Sequence, residues 1–217
     1  MHQQQYLFFA EGISEISHDE AVGFLLPRHY SGRTPSISKA FGWFANGNLQ
    51  AVLTFGKPAS NSLCEGVCGL AYSEDVYELN RLCRTENADV QLSKFVSLAL
   101  KAVAKDDWII VSYADTSMNH CGYIYQATNF IYTGMTAERT DKFTEGNKHS
   151  RHYAKDDASG LRKVRSAKHR YVYFTARSKA KRKAQRKALA YSVKPFPKNA
   201  NKNYALGYVL PPNVIES

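Results

Sequence analysis

Trp108-Ile109-Ile110-Val111-Ser112-Tyr113 is a short, almost wholly apolar run, and it reads as a strand buried on both faces. Just before it, Leu92, Phe95, Val96, Ala99, Leu100 and Val103 recur at helical spacing. Just after it, Asn119 to Thr128 reads as a short helix, and Phe130-Ile131-Tyr132 as a further strand closed by Gly134. Upstream, Val76 to Leu82 alternates apolar and polar side chains, a strand pattern. A helix between two strands implies a crossover, so the chain is expected to form a mixed α/β sheet flanked by helices.

The outer segments are consistent with that centre. Gly42-Trp43-Phe44 and Leu49 to Phe55 form a hairpin turning at Asn46-Gly47. Ser17-His18-Asp19-Glu20 has the form of a capped helix start, with Val22, Leu25 and Leu26 on the apolar face and Pro27 as the stop. Tyr6 to Ala10 is an apolar stretch, residues 56–70 read as loop, residues 137–167 as irregular, and Tyr171 to Phe174 as a last strand. Arg177 to Tyr191 is rich in helix formers and predicts a basic helix, followed by a loose Pro-containing tail after Lys194. Residues 1–175 are therefore expected to form the catalytic domain, and 176–217 a basic helical arm and tail.

Charge is divided along the chain. The total of +10 is the sum of −5 over residues 1–138 and +15 over residues 139–217, and Leu161 to Lys187 contains 12 basic residues and no acidic one. Such asymmetry points to a polyanion, because Lys and Arg that neutralise phosphates release counterions. The aromatics in Lys168-His169-Arg170-Tyr171-Val172-Tyr173-Phe174 favour nucleic acid over a merely solvated tail. Lys168, Arg170, Lys179, Lys181, Arg182, Lys183, Arg186 and Lys187 are the expected nucleic-acid contacts. Basic side chains on nearly every face of the predicted helix suit phosphates rather than base edges. No apolar run approaches the roughly 18–20 residues that span a membrane, and the first residues carry no basic n-region, so no signal peptide and no membrane partner are expected. Cys64, Cys68, Cys83 and Cys121 suggest reduced, buried thiols, and Cys64-x3-Cys68 lacks the second pair that a zinc site needs.

Four segments in order, His29-Tyr30-Ser31-Gly32, Tyr77 to Leu82, Ser112-Tyr113-Ala114-Asp115 and Gly122 to Phe130, together resemble the Mom family of bacteriophage DNA-modification proteins, as does Lys168-His169-Arg170-Tyr171. The strand, short helix, strand unit ending at Phe130 also resembles the second half of the GNAT acyltransferase fold. The resemblance implies a GNAT-like central mixed sheet with a basic C-terminal extension. It further implies modification of adenine N6 in phage DNA by a carbamoylmethyl-type group that blocks host restriction, in the cytoplasm of an infected bacterium. GNAT enzymes carry a Gly-rich turn for the coenzyme A pyrophosphate. The equivalent stretch here, Leu82-Cys83-Arg84-Thr85-Glu86-Asn87-Ala88, has no glycine. A helix N-terminus can still hold an anion, but Glu86 would repel it.

Adenine N6 is a weak nucleophile because its lone pair is delocalised, so a base must take its proton while an activated donor is presented. Reaching it generally requires the base to leave the stack. Asp115, at the end of the apolar strand, is either that general base, or the group that orients N6, or a cap on the next turn. Arg81, in a strand of apolar rhythm, either binds a donor carbonyl or phosphate or pairs with Glu78 or Asp115. His29 is a candidate proton shuttle and Tyr30 a candidate stacking platform. Ser112, Arg84, Asn129 and Tyr125 are candidates for holding the cofactor or the adenine edge, while Tyr123, Tyr125 and Phe130 also fit a core role. Iron has been associated with the family. No metal site is expected, because His29, Asp115 and His120 come together only if the fold assembles them. The donor is open between acetyl-CoA and an aminoacyl species such as glycyl-tRNA. A glycyl group and a carbamoylmethyl group are isomers. Partners are therefore double-stranded DNA and, if the donor is aminoacylated, tRNA. A non-catalytic nucleic-acid binder and an acyl-CoA-dependent transferase for a protein or small amine are the competing readings.

Overall fold

A computed structural model of the chain describes residues 12–143, 160–198, 208, 211 and 213–216. Seven strands make the main sheet: β1 (Gly12–Glu15), β2 (Lys39–Ala45), β3 (Asn48–Gly56), β4 (Val76–Arg84), β5 (Ile109–Asp115), β6 (Ile131–Met135) and β9 (Lys168–Phe174), in the order β1-β2-β3-β4-β5-β9-β6. β7 (Arg139–Lys142), β8 (Leu161–Arg165) and β10 (Val214–Glu216) make a second sheet in the order β10-β8-β7. The helices are α1 (His18–Leu25), α2 (Asn61–Cys68), α3 (Leu92–Ala102), α4 (Tyr123–Ala127) and α5 (Lys179–Lys187). This is the mixed sheet flanked by helices that the sequence implies, with β4 and β5 as its parallel pair. The stretch Tyr6 to Ala10 lies outside the described residues.

Local chemistry sets the elements. Asn46 and Gly47 both have positive φ (51° and 71°), the conformation a two-residue hairpin needs between β2 and β3. Ser17 and Glu20 close a reciprocal capping box on α1, a device that contributes about 1 kcal/mol. The apolar stripe of α3 (Phe95, Val96, Ala99, Leu100) packs with Leu53, Phe55, Leu79, Ile110, Phe130 and Tyr171 on one face of the sheet. On the opposite face α2 packs Cys64, Val67 and Cys68 against Ile109, Val111, Val172 and Phe174. Each large side chain so buried stabilises the fold by about 1.5–3 kcal/mol. β5 thus has core on both sides, as its composition requires.

Two expectations fail. Residues 56–70 contain α2, whose start is capped by the Ser60 hydroxyl accepting from the Leu63 amide. The Gly and Ser content hides a real stripe of Leu63, Cys64, Val67 and Cys68. Residues 137–167 contain β7 and β8, not only irregular chain. The expected basic helix spans Lys179–Lys187 and is docked on the domain: buried Gln185 donates to the Asp107 carbonyl (2.8 Å) and Lys181 pairs with the Asp107 carboxylate (3.0 Å). Beyond it, the Ala190 amide donates to the Val67 carbonyl and the Lys194 amide to the Tyr132 carbonyl, so this segment packs on the domain. Among the described residues no helix is long and apolar enough to cross a membrane.

Gly56, at the end of β3, has no room for a side chain: a Cβ would overlap the backbone carbonyl of Ser36. Backbone cannot step aside as a flexible side chain can. Gly56→Ala is expected to cost about 2–3 kcal/mol and to lower the thermal midpoint by roughly 5–10 °C, measured by calorimetry.

Candidate functional site

The site begins with a parting of strands. β4 and β5, the parallel pair, are in register only over Val76, Tyr77 and Glu78 opposite Ile109, Ile110 and Val111. The β3–β4 register slips between Thr54 and Phe55, because Thr54 faces Arg81 whereas Phe55 faces Leu79. Asn80 is the extra residue, and such a bulge bends the strand that carries it. Its side chain is held by Thr54 (2.6 Å) and the Ser36 carbonyl (2.7 Å). β4 therefore turns away with β3 while β5 continues beside β9 as far as Asp115, opposite Lys168. The Ser112 hydroxyl donates to the Leu79 carbonyl (2.8 Å) across the gap, and it also meets the Tyr125 phenol.

Polar side chains gather at the open end. Glu78 sits at the fork, where burial pushes its pKa up although Arg81 and Lys168 pull it back. It was considered from sequence only as a partner for Arg81. Its signal is weak: it is the one carboxylate in Val76 to Arg84, in a strand that also carries Asn80, Arg81 and Arg84. Arg81 donates to the Asn80 carbonyl (2.6 Å) and the Arg33 carbonyl (3.4 Å), and so ties β4 to the loop after α1. On that loop His29 is buried, and its Nδ1 accepts from the Ser31 amide (3.2 Å). This assigns the ring proton to Nε2. Burial first, then the charges of Arg81, His120 and Lys168, depress the His29 pKa to about 3, so the ring is neutral at pH 7. Tyr30 stacks on His29 at 4.5 Å and meets His120 edge-on at 6.1 Å.

Asp115 is buried and heavily engaged. One oxygen accepts from the Ser117 amide (3.0 Å), the Ser117 hydroxyl (2.6 Å) and the Ser166 hydroxyl (2.6 Å), and the other pairs with Lys168 (2.9 Å). Burial acts to raise its pKa, but Lys168 and these hydrogen bonds outweigh it, and the net shift is downward. The carboxylate caps the turn Thr116–Met118 and holds Lys168 at the slot. The iron set does not assemble: among the described residues no three His, Cys, Asp or Glu side chains stand where they would hold a metal, and the Asp115 oxygens are already occupied.

The turn after β4 is tied down in part, and α3 then begins after Gln91 without a side-chain cap. The Thr85 and Asp89 amides donate to Gln50, and the Ala88 amide to the Thr85 carbonyl, so they do not point outward as an anion cradle would. Arg84 ends β4 opposite Ala51.

The expected nucleic-acid residues fall into separate groups. Lys168 belongs to the slot. Arg170 is held by Thr133 (3.0 and 3.2 Å) and lies over the Tyr191 ring at 3.3 Å. Lys179, Arg182, Lys183 and Arg186, spaced i, i+3, i+4 and i+7, all line one groove of about 460 Å³ between α5 and the β6–β9 edge. Ile131, Val172 and Phe174 are among its walls, and Asn129, at φ 63°, lies at its rim and not in the slot. Because α5 is docked on Asp107, before β5, the groove lies towards the end of the strands opposite Asp115. Lys187 ends the helix.

The buried neutral imidazole has a consequence for stability. Between about pH 6.5 and about pH 3 the unfolded chain binds a proton at His29 that the native chain does not. Stability must therefore fall as pH falls through that window and be fully restored above it. Relative to a His29→Gln variant, the wild type is expected to lose about 2 kcal/mol between pH 7.5 and pH 4.5, read from urea unfolding.

Comparison with known proteins places these features. No curated protein matches the chain. Solved structures similar to it include an N-acetyltransferase from Staphylococcus aureus Mu50 (13% identity, TM-score 0.47, covering 75% of this chain and 97% of that one). A Bacillus subtilis acetyltransferase in complex with CoA is similar at 18% identity and TM-score 0.44, over 76% and 99% of the two chains. A probable acetyltransferase from Staphylococcus epidermidis ATCC 12228 gives 10% identity and TM-score 0.40, over 64% and 68%. The Mom protein family model matches residues 11–198, a span that takes in the slot, its loop and the basic helix, and this chain belongs to that family.

Proposed function

We propose that this chain is a transferase that adds a small acyl-derived group, of glycyl or carbamoylmethyl type, to adenine N6 in phage DNA, protecting that DNA from host restriction endonucleases in the cytoplasm of the infected cell. The observation that carries the reading is the slot at the β4–β5 parting, with Glu78, His29, Arg81 and Lys168 converging on it in a chain of the Mom family. Glu78, made more basic by burial, takes the proton from N6 as the nitrogen bonds to the donor's carbonyl carbon. The leaving group departs with its bonding electron pair. Arg81 and Lys168 supply positive charge where the carbonyl oxygen becomes negative, and the Nε2–H of neutral His29 supplies a hydrogen bond there. Tyr30 is the stacking surface for an extruded adenine. Asp115 positions Lys168.

The turn after β4 has no glycine and its Thr85, Ala88 and Asp89 amides are engaged within the fold, which supports an aminoacyl ester such as glycyl-tRNA as the donor over acetyl-CoA. A glycyl group becomes carbamoylmethyl by rearrangement without gain or loss of atoms. The stripe Lys179, Arg182, Lys183 and Arg186 binds phosphates of the polyanion.

Plasmid DNA from bacteria expressing the chain is expected to contain a new adenine nucleoside by mass spectrometry, reduced at least about 100-fold in the Glu78→Gln variant. Unmodified DNA from folded, well-expressed wild type would sink the reading in favour of a binding protein. Replacing the four stripe residues by Ala should flatten the slope of log affinity against log salt by about 3–4. An unchanged slope would remove α5 from the interface.

A further inference from the structure

The β6–β9 ladder does not stop where the main sheet stops. Met135 is opposite His169, Arg139 opposite Arg165 and Lys142 opposite Arg162, all at one constant offset. The Thr136 amide donates to the Lys168 carbonyl (2.9 Å), and the Phe143 amide to the Leu161 carbonyl (3.0 Å), in the same register. β7 and β8 thus carry the β6–β9 register on beyond a break at residues 136–138 and 166–167, where the Lys168 amide donates to the Thr136 hydroxyl. The two run past the end of β5 for seven residues, about 24 Å. β10 lies along the other edge of β8.

This arm is cationic by design of its register. β7 and β8 carry Arg139, Lys142, Arg162, Lys163 and Arg165 against one carboxylate, Asp141. Two cross-strand pairs, Arg139–Arg165 and Lys142–Arg162, put like charges directly opposite each other, an arrangement that destabilises a free ribbon. Asp141 relieves the first pair, at 2.8 Å from Arg165 and 3.8 Å from Arg139. No carboxylate among the described residues is paired with Lys142 or Arg162. Arg162 donates instead to the Thr140 hydroxyl (2.8 Å) and carbonyl (3.0 Å), which fixes the plane of its guanidinium. The root of the arm is the slot: Ser166 bonds Asp115, Lys168 pairs with it, and Lys163 feels the charge of Arg33 on the loop that carries His29 and Tyr30.

We propose that the β7–β8 arm is a contact surface for the major groove of duplex DNA beside the adenine presented to the slot. The inference rests on the reading of the slot as an adenine N6 site. N6 is displayed in the major groove, about 12 Å wide, which admits two adjacent strands, and the arm presents β7, an edge strand of its three-stranded sheet, with β8 beside it. A polyanion also suits the Lys142–Arg162 pair, because phosphates flanking the groove would supply the negative charge that no carboxylate among the described residues brings to it. The arm is separate from the α5 groove, which lies towards the other end of the strands.

The test is fluorescence anisotropy with a duplex oligonucleotide over a range of salt, using full-length wild type and Lys142→Ala/Arg162→Ala. The double variant is expected to bind about tenfold more weakly near 0.1 M salt, with the slope of log affinity against log salt reduced by about 2. Its unfolding midpoint should not fall, because a repulsive pair has been removed. Lys142→Glu places a carboxylate opposite Arg162, so it should raise the midpoint while weakening DNA binding, and it serves the same purpose if the double variant does not fold. A duplex whose cytosines carry glucosylated 5-hydroxymethyl groups blocks the major groove and should bind wild type more weakly, whereas netropsin, in the minor groove, should not compete. Equal affinity and slope in wild type and variants, or competition by netropsin alone, overturns the role of the arm and leaves the reading of the slot intact. Wild type that binds no duplex at all overturns both.

Discussion

The functional end of this molecule depends on one break in hydrogen bonding: β4 and β5 share a parallel ladder for only three residue pairs. The extra residue at Asn80 bends β4 off the line of β5, and Thr54 and the Ser36 carbonyl hold that residue in place. An open seam in a sheet leaves backbone groups without partners, which is costly when they are buried. Ser112 compensates by donating its hydroxyl to the Leu79 carbonyl across the seam. A small hydroxyl in an otherwise apolar strand is thus a structural necessity of the cleft. It keeps the gap from collapsing or from widening into solvent.

Once the strands part, the charges at the fork sort themselves by environment. Glu78 is partly buried and His29 buried, each without a close ion-pair partner among the described residues, and desolvation drives each toward its neutral form: the carboxyl is raised and the imidazole lowered. Asp115 is buried too, but three hydrogen bonds and one ammonium group keep it ionised. Two carboxylates on neighbouring strands therefore have opposite characters. The one with the raised pKa is suited to accepting a proton, and the other to holding a cation in place.

The sequence foretold elements wherever side-chain periodicity is driven by burial. β4, α3, β5 and the β2–β3 hairpin are legible because apolar residues fall at period 2 or 3.6 and the turn residues allow positive φ. α2 was obscured by Gly, Ser and Asn around a four-residue stripe. β7 and β8 were obscured because Arg-Thr-Asp-Lys and Leu-Arg-Lys-Val-Arg show no apolar alternation, being ordered by a ladder that continues from β6 and β9. At the site, the sequence named His29, Tyr30, Arg81 and Asp115, and the structure brings their elements to one end of the sheet. It could not show that Glu78 stands at the fork, that Lys168 turns inward to Asp115, or that Asn129 lies by the α5 groove, because each depends on strand register. The docking of α5 was equally hidden: Gln185 gives no hint in a run of Lys and Arg that it is the buried contact.

The arm keeps the register of the main sheet across its root, where the Thr136 amide donates to the Lys168 carbonyl and Ser166 holds Asp115. Its direction is fixed when the protein folds, and the conformational entropy of ordering it is lost then. A rigid projection meets its ligand preorganised, so little freedom remains to be lost on contact. The mechanical burden of fitting then falls on the ligand. On the proposed reading, a duplex lying along such a spur would bend, or open a groove, to bring a base to the slot, which would favour sequences that deform easily at positions no side chain touches.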